Sequence, residues 1–449
     1  MCGIIAYTGE GDVKKILHNG LRQLEYRGYD SSGIALQDEA GNIHTNKVVG
    51  SVNKLKTKAA KFVPTSGIGH TRWATHGSPL LKNAHPIESS SKSISLVHNG
   101  IIENYAELKS KLQKKGVRFN SDTDTEVLAN LIDSFLTTRT SVETALSKAI
   151  KLTTGAYTVA VMSNKHPGKI VFARTGYAGG IIVAKNGTST VIASDIAAIT
   201  NNNYSMTFLE AGEMGVASNN TVSFFNLKGK KISKKFEKFN LSDSINEKGK
   251  YRYFLEKEIF EQPDSMFDFI RDTYQQNKHD IHFDDFKLTA KEIKAINRII
   301  LLGMGSSEYA AAVGRYYIES LTGIPTQVEN ASEFANREVI ADKNTLVISI
   351  SQSGETVDTI RAMNLVKKAQ ALQIAITNTP RSQTTRIADT TIHLRASTEI
   401  AVASTKCFIA AVAALHALAL KIAIIRRSST KKNIHNQIND YVKLPALIS

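Results

Sequence analysis

Apolar residues in the first half of the chain recur with two periods. Short alternating or continuously apolar runs at residues 3–8, 33–37, 95–98, 157–162, 181–184 and 191–193 predict strands, because successive side chains on an extended backbone point to opposite faces. Residues 13–24, 104–115 and 125–136 instead space their apolar positions by three and four and predict helices. Asp124-Thr125-Glu126 places two acids where the last of these would start, which suits the positive end of a helix dipole. Residues 1 to about 230 therefore read as an α+β unit.

Beyond residue 290 the texture becomes strand, loop, helix. Residues 298–302, 303–307 and 308–321 form one such unit, and residues 345–350, 351–356 and 357–370 a second, with further strands at 374–377 and 391–394. That alternation predicts a parallel sheet covered on both faces by helices. The charged, irregular stretch 231–290 predicts a partly helical connector. Residues 407–425 are almost wholly apolar and long enough to span a bilayer, but they include His416 and Lys421 and are rich in alanine; a helix buried against a sheet is the expectation.

Composition narrows the class. The 449 residues suggest two to three domains, and 42% hydrophobic with 22% charged residues is globular composition. Cys2 and Cys407 are the only cysteines, which excludes a disulfide framework and fits a reducing, cytoplasmic compartment. The N-terminus lacks the basic flank and long apolar core of a signal peptide. A net charge of +15 invites an anionic partner, yet the lysines are scattered as pairs such as Lys14-Lys15 and Lys367-Lys368, without interleaved aromatics. They read as solvated surface, and neither a nucleic-acid nor a membrane partner is expected.

Two features carry chemistry. Removal of Met1 would leave Cys2 with a free α-amine, which titrates near pH 7.7–8.0 and can serve as base for the thiol of its own residue. A cysteine in second position is by itself equally a chance small residue. In the other half, Ser351-Gln352-Ser353-Gly354-Glu355-Thr356 and Gly303-Met304-Gly305-Ser306-Ser307 each join a strand to a helix, a phosphate cradle built from hydroxyls, main-chain N–H groups and a helix dipole. Either loop alone could be only a helix cap. Glu308 stands where a dinucleotide fingerprint needs glycine. His70, His76 and His85 lack a zinc-ligand spacing, so neither metal nor cofactor is expected.

Cys2-Gly3-Ile4 resembles the start of class II, N-terminal-nucleophile glutamine amidotransferases. Leu24-Glu25-Tyr26-Arg27-Gly28-Tyr29-Asp30-Ser31, His70-Thr71-Arg72-Trp73-Ala74-Thr75-His76-Gly77, His98-Asn99-Gly100-Ile101-Ile102-Glu103-Asn104 and Thr123-Asp124-Thr125-Glu126 resemble the glutamine–fructose-6-phosphate aminotransferase branch. Ser351-Gln352-Ser353-Gly354-Glu355-Thr356 resembles the signature loop of the sugar isomerase (SIS) fold, and the segments at 258–263, 331–334 and 399–406 are similar to the same branch.

The resemblance implies stacked β-sheets with flanking helices over residues 2–230, a connector over 231–290, an α/β SIS domain over 291–430, and at 431–449 the start of a linker to a second, missing SIS domain. It implies that Cys2 is the nucleophile, that Asn99 and Gly100 supply the oxyanion donors, and that Trp73 lies near the ammonia exit. The planar fork of Arg72 suits the carboxylate of glutamine, Thr75 and His76 are neighbouring donors, and Asp124 is the acid available for its ammonium. Ser306, Ser307, Ser351, Gln352, Ser353, Thr356 and Val402 would line the fructose 6-phosphate site, although Met304, Glu308 and Ala401 depart from the family pattern. Lys406 invites a Schiff-base role that the family places elsewhere. A homodimer is expected by analogy, and a separate chain with the second SIS domain would be needed to complete sugar amination. The competing expectation is a glutaminase that carries only a sugar-phosphate-binding module. Asparagine synthetase-like and phosphoribosyl amidotransferase readings lack their nucleotide and phosphoribosyl loops, and Asp284-Asp285 does not supply the context for the latter.

Overall fold

The computed structural model describes residues 2–55, 62–74, 77–177, 179–199, 203–218, 221–238, 249–275 and 280–449. The chain divides into two compact units, Met1–Asp243 and Ser244–Ser449.

The first unit is built on two antiparallel sheets. One runs, edge to edge, through Glu237–Lys238, Ser205–Leu209, Ile181–Lys185, Ser189–Ala193, Gly3–Gly9, Ser66–Arg72, Ser31–Gln37 and Ile43–Val49. The other runs through Lys231–Ile232, Thr221–Asn226, Glu213–Ser218, Lys169–Thr175, Tyr157–Ser163, Ile94–Gly100 and Ile87–Glu88. Alternation sorts each strand between two cores. Ile4 and Ala6 face Val97, Ala160, Met162 and Phe172 of the other sheet, while Ile5 and Tyr7 face Leu17, Leu21 and Leu24 of helix Val13–Leu24. On the far side, Leu96, Val159 and Val161 pack on Val127, Leu128 and Ile132 of helix Asp124–Phe135 and on Leu146 of Val142–Ile150. The result is helix, sheet, sheet, helix, with every sheet face covered; each large apolar side chain so buried contributes about 1.5–3 kcal/mol.

Helix Val13–Leu24 has the predicted bounds, with Asp12 accepting from the Lys15 N–H as its cap. Strands Ile43–Val49, Ser66–Arg72, Lys169–Thr175 and Thr221–Asn226 and helix Val142–Ile150 are not predicted by the apolar pattern. Ser66–Arg72 is fully buried although only Ile68 in it is aliphatic, because strands pair on both its sides.

The second unit holds a five-stranded parallel sheet in the order Thr326–Asn330, Arg298–Gly303, Thr345–Ile350, Leu372–Thr377, Thr390–His393. Ile299, Leu301, Ile348 and Ile374 pack on Ala310 and Ile318 of helix Ser306–Thr322 and on Ala414 and Leu418 of helix Lys406–Arg426. Ile300, Leu302 and Val347 pack on Ala362 and Val366 of helix Val357–Lys368. The chain order reverses between Arg298–Gly303 and Thr345–Ile350, which creates a crevice beyond their carboxyl ends. The stretch read as a connector contributes Met266, Phe269 and Ile270 of helix Gln262–Thr273 to this core, and Ile438 and Tyr441 of helix Lys431–Tyr441 join it. Helix Lys406–Arg426 has a mean hydropathy of 2.3 over an 18-residue window, 67% of which is buried inside the unit.

Candidate functional site

Cys2 sits at the head of the strand Gly3–Gly9, which is paired on both sides. The register Gly3↔Thr71 brings Arg72 and Trp73 alongside it. The Trp73 main-chain N–H donates to Cys2 Sγ across 3.2 Å, and the thiol reaches the Trp73 carbonyl at 3.4 Å. Burial pushes the Cys2 thiol up, while the Trp73 N–H and the charges of Arg72 and Arg27 pull it down; burial wins. The thiol is therefore protonated at neutral pH and needs a base to become a nucleophile.

Asn99 reaches the same point from the end of Ile94–Gly100, in the other sheet. Its Nδ2 donates to the Cys2 carbonyl at 2.9 Å, and its Oδ1 lies 2.9 Å from His70 Nε2. Gly100 has φ of +121°, and a Cβ there would stand 2.3 Å from the Ala156 carbonyl oxygen, so this position admits glycine alone.

Arg72 is buried, and its guanidinium donates to the carbonyls of Gly77 at 3.0 Å and Ser78 at 3.4 Å. Burial lowers its pKa, while Cys2, Asp124 and Asp30 act against that, so these groups share one electrostatic neighbourhood. Asp124 opens the helix Asp124–Phe135 and accepts the Ile102 N–H at 2.8 Å. Trp73 is half-buried, edge-on to Tyr29 at 5.4 Å, and is not a core anchor. Thr75 and His76 lie outside the described residues.

Several supporting residues had no assigned role in the sequence. Arg27 Nη1 is paired with Asp195 at 2.6 Å, and the Tyr26 hydroxyl donates to the same carboxylate at 2.7 Å. Asp30 accepts the Ala74 N–H at 2.8 Å and so holds the turn after Trp73. Tyr26, Arg27 and Asp30 lie within the motif at residues 24–31, whereas no local pattern marks Asp195.

In the second unit, both serine-rich segments flank the crevice where the strand order reverses. Ser306 and Ser307 lie in the first turn of helix Ser306–Thr322, not in the loop predicted for them, with Gly305 at φ +57° as the cap. Their main-chain N–H groups therefore belong to the positive end of a helix. In the other loop, Ser351 Oγ accepts the Gly354 N–H at 3.1 Å and lies 3.0 Å from Thr356 Oγ1, and Ser353 Oγ accepts the Glu355 N–H at 3.2 Å. The Gln352 carbonyl accepts the Asn378 N–H at 3.1 Å. Gly354 has φ of +63°, and a Cβ there would stand 1.9 Å from Ser382 Oγ.

Val402 is 71% exposed on a loop that two carboxylates secure. Glu258 accepts the Ile400 and Ala401 N–H groups at 2.6 and 3.1 Å, and Glu399 accepts those of Thr405 and Cys407 at 2.8 and 3.2 Å. Lys406 is buried, its ammonium 2.7 Å from both Glu261 Oε2 and Ser397 Oγ, so the amine is committed to an ion pair. Among the described residues no group of His, Cys, Asp and Glu side chains could hold a metal ion.

Two family profiles match the chain: a glutamine amidotransferase domain over residues 70–201 and a SIS domain over residues 292–421. A glutamine–fructose-6-phosphate aminotransferase (isomerizing) of Clostridium acetobutylicum is 39% identical over 450 residues, covering 99% of this chain and 72% of its own length. One of Caldanaerobacter subterraneus is 40% identical over 447 residues, again covering 99% of this chain and 72% of its own length. Among solved structures, the C-terminal domain of glucosamine-fructose-6-phosphate aminotransferase from Francisella tularensis is 32% identical, covers 45% of this chain and 56% of that one, and superposes with a TM-score of 0.43.

Proposed function

The chain belongs to the glutamine–fructose-6-phosphate aminotransferase family, and from that membership we propose that its first unit hydrolyses L-glutamine through Cys2 while its second unit binds D-fructose 6-phosphate, the amino-group acceptor. The observation that carries the reading is the convergence on Cys2 of Trp73, just beyond strand Ser66–Arg72, and Asn99, from the other sheet.

Glutamine enters with its carboxylate on Arg72 and its ammonium on Asp124. The α-amine of Cys2, free once Met1 is removed, takes the thiol proton as Sγ attacks the side-chain carboxamide. The tetrahedral oxyanion accepts hydrogen bonds from Asn99 Nδ2 and the Gly100 N–H; a single donor of this kind is worth about 100–1000-fold in rate. Collapse breaks the C–N bond, the proton passes from the amine to the departing nitrogen, and ammonia leaves. Water then cleaves the γ-glutamyl thioester to glutamate and regenerates the thiol.

Ser306, Ser307, Ser351, Gln352, Ser353 and Thr356 hold the sugar phosphate at two helix-opening turns, with Val402 against the sugar. In the family's whole reaction the ammonia goes to fructose 6-phosphate and glucosamine 6-phosphate results. The test is glutamate release from L-glutamine by protein shown by mass spectrometry to lack Met1, with and without fructose 6-phosphate. Release that the sugar stimulates supports the proposal with coupled units. Release indifferent to sugar, in protein that does not bind fructose 6-phosphate, removes the second half of it. Absence of release removes the first.

A further inference from the structure

His70 occupies a place that the reaction above leaves unused. It lies in the buried strand Ser66–Arg72, paired to Ile4 on one side and Gly33 on the other, and its ring is wholly inaccessible to solvent. Asn99 belongs to the opposite sheet. The 2.9 Å contact between His70 Nε2 and Asn99 Oδ1 thus bridges the two sheets beside Cys2.

The orientation of the Asn99 amide follows from its partners. The Cys2 carbonyl can only accept, so the amide edge 2.9 Å from it must be the NH₂. The Asn99 oxygen then faces His70, and an acceptor facing it would be repelled, so Nε2 carries the hydrogen. Burial, with the Arg72 charge adding to it, drives the His70 pKa down to about 3 against the opposing pull of the hydrogen bonds to Asn99 and the His98 main chain, so the ring is neutral and has one N–H to give. Its Nδ1 is correspondingly bare, and it has no hydrogen-bond partner among the described residues. The ring cannot easily turn away, because His85 packs against it with centroids 4.3 Å apart.

We infer that His70 is a positioning residue for glutamine hydrolysis: its Nε2–H holds the oxygen of the Asn99 amide and thereby keeps the NH₂ edge aimed at the oxyanion that forms when substrate bonds to Cys2. The inference rests on the proposed glutaminase reading. Without that hydrogen bond the amide can rotate and present its oxygen to a developing oxyanion, which is repulsive.

The test is a double-mutant cycle in the full chain, with Cys2→Ser as the control for the glutaminase reading itself. His70→Phe is expected to lower kcat about 10–100-fold, a share of what a lost oxyanion donor costs, with the KM for glutamine within about twofold because Arg72 and Asp124 are untouched. His70→Gln, which can present an N–H to the same oxygen, is expected to recover most of the loss. On an Asn99→Ala background, His70→Phe is expected to cost nothing more. A further loss on that background, or unchanged kcat in His70→Phe, overturns the inference while leaving Cys2 chemistry standing. Spectra of ¹⁵N-labelled histidine decide it without turnover: His70 is expected as the Nε2–H tautomer from pH 5 to 8. An Nδ1–H tautomer, or titration within that range, overturns it even if the protein releases no glutamate.

Discussion

The main-chain N–H of Trp73 lies 3.2 Å from the sulfur of Cys2, where it stabilises a thiolate more than a thiol. Burial outweighs it and leaves the thiol protonated at neutral pH. The rate should then follow the neutral fraction of the Cys2 α-amine; an unperturbed α-amine titrates at about 7.7–8.0. The expected kcat/KM for glutamine rises about tenfold per pH unit below pH 7 and levels off above pH 8.5. Protein that retains Met1 has an amide in place of that amine and should be at least about 100-fold slower at every pH.

Gly100→Ala places a Cβ 2.3 Å from the Ala156 carbonyl oxygen at φ +121°. Strain of that kind costs about 1–3 kcal/mol, and relief by backbone shift moves the adjoining Asn99. Thermal melts should fall by several degrees, and glutamate release should drop further than the melting shift explains at 25 °C.

Glu258→Ala leaves the N–H groups of Ile400 and Ala401 without their shared acceptor. These N–H groups are half-buried, and hydrogen bonds to a charged acceptor of this kind are worth about 1.5–3 kcal/mol each. Calorimetry should show weaker binding of fructose 6-phosphate, through loss of order at Val402, while glutamine hydrolysis measured without sugar stays near wild type.

His70 also contributes a pH dependence to stability. Its folded pKa, about 3, lies below the unfolded value of about 6.5. The unfolded chain therefore binds a proton that the folded chain refuses, and the associated stability is lost as pH falls from above 6.5 toward 3. At pH 5 the loss is on the order of 2 kcal/mol for this residue. His70→Gln should unfold in urea with a smaller difference between pH 7 and pH 5 than wild type, by about that amount.

What the sequence made legible follows from where the signal lay. Helix Val13–Leu24 is marked because one face is apolar and Asp12 caps it. The strand Ser66–Arg72, which carries His70 and Arg72, is invisible to periodicity: both of its faces and both of its edges are covered, so glycine, serine, threonine and histidine serve where aliphatics would be expected. Lys169–Thr175 hides a buried Arg174 whose Nη1 donates to the Leu209 carbonyl at 3.0 Å, and a charge in a strand argues against burial until its acceptor is known. The site shows the same division. Cys2, Arg72, Asn99 and Asp124 stand in contiguous motif blocks. The partners that support the site join residues far apart in the chain, as Arg27 to Asp195 and Glu258 to Ile400 do, and no local pattern announces such pairs. The apolar pattern starts this helix at 308, two residues late, because Gly305 at φ +57° caps it directly before Ser306.

The helix Lys406–Arg426 has a further consequence, for biogenesis. During synthesis it leaves the ribosome as 21 residues as greasy as many membrane anchors, before it has docked on the sheet. Factors that read nascent chains by hydropathy respond to such a segment while it is exposed. Escape from them depends on how quickly the sheet residues Ile299, Leu301 and Ile348, already synthesised, offer a surface to cover it. Lesions in those strands should therefore show themselves first as chains caught by membranes and chaperones, before any defect in chemistry is measurable.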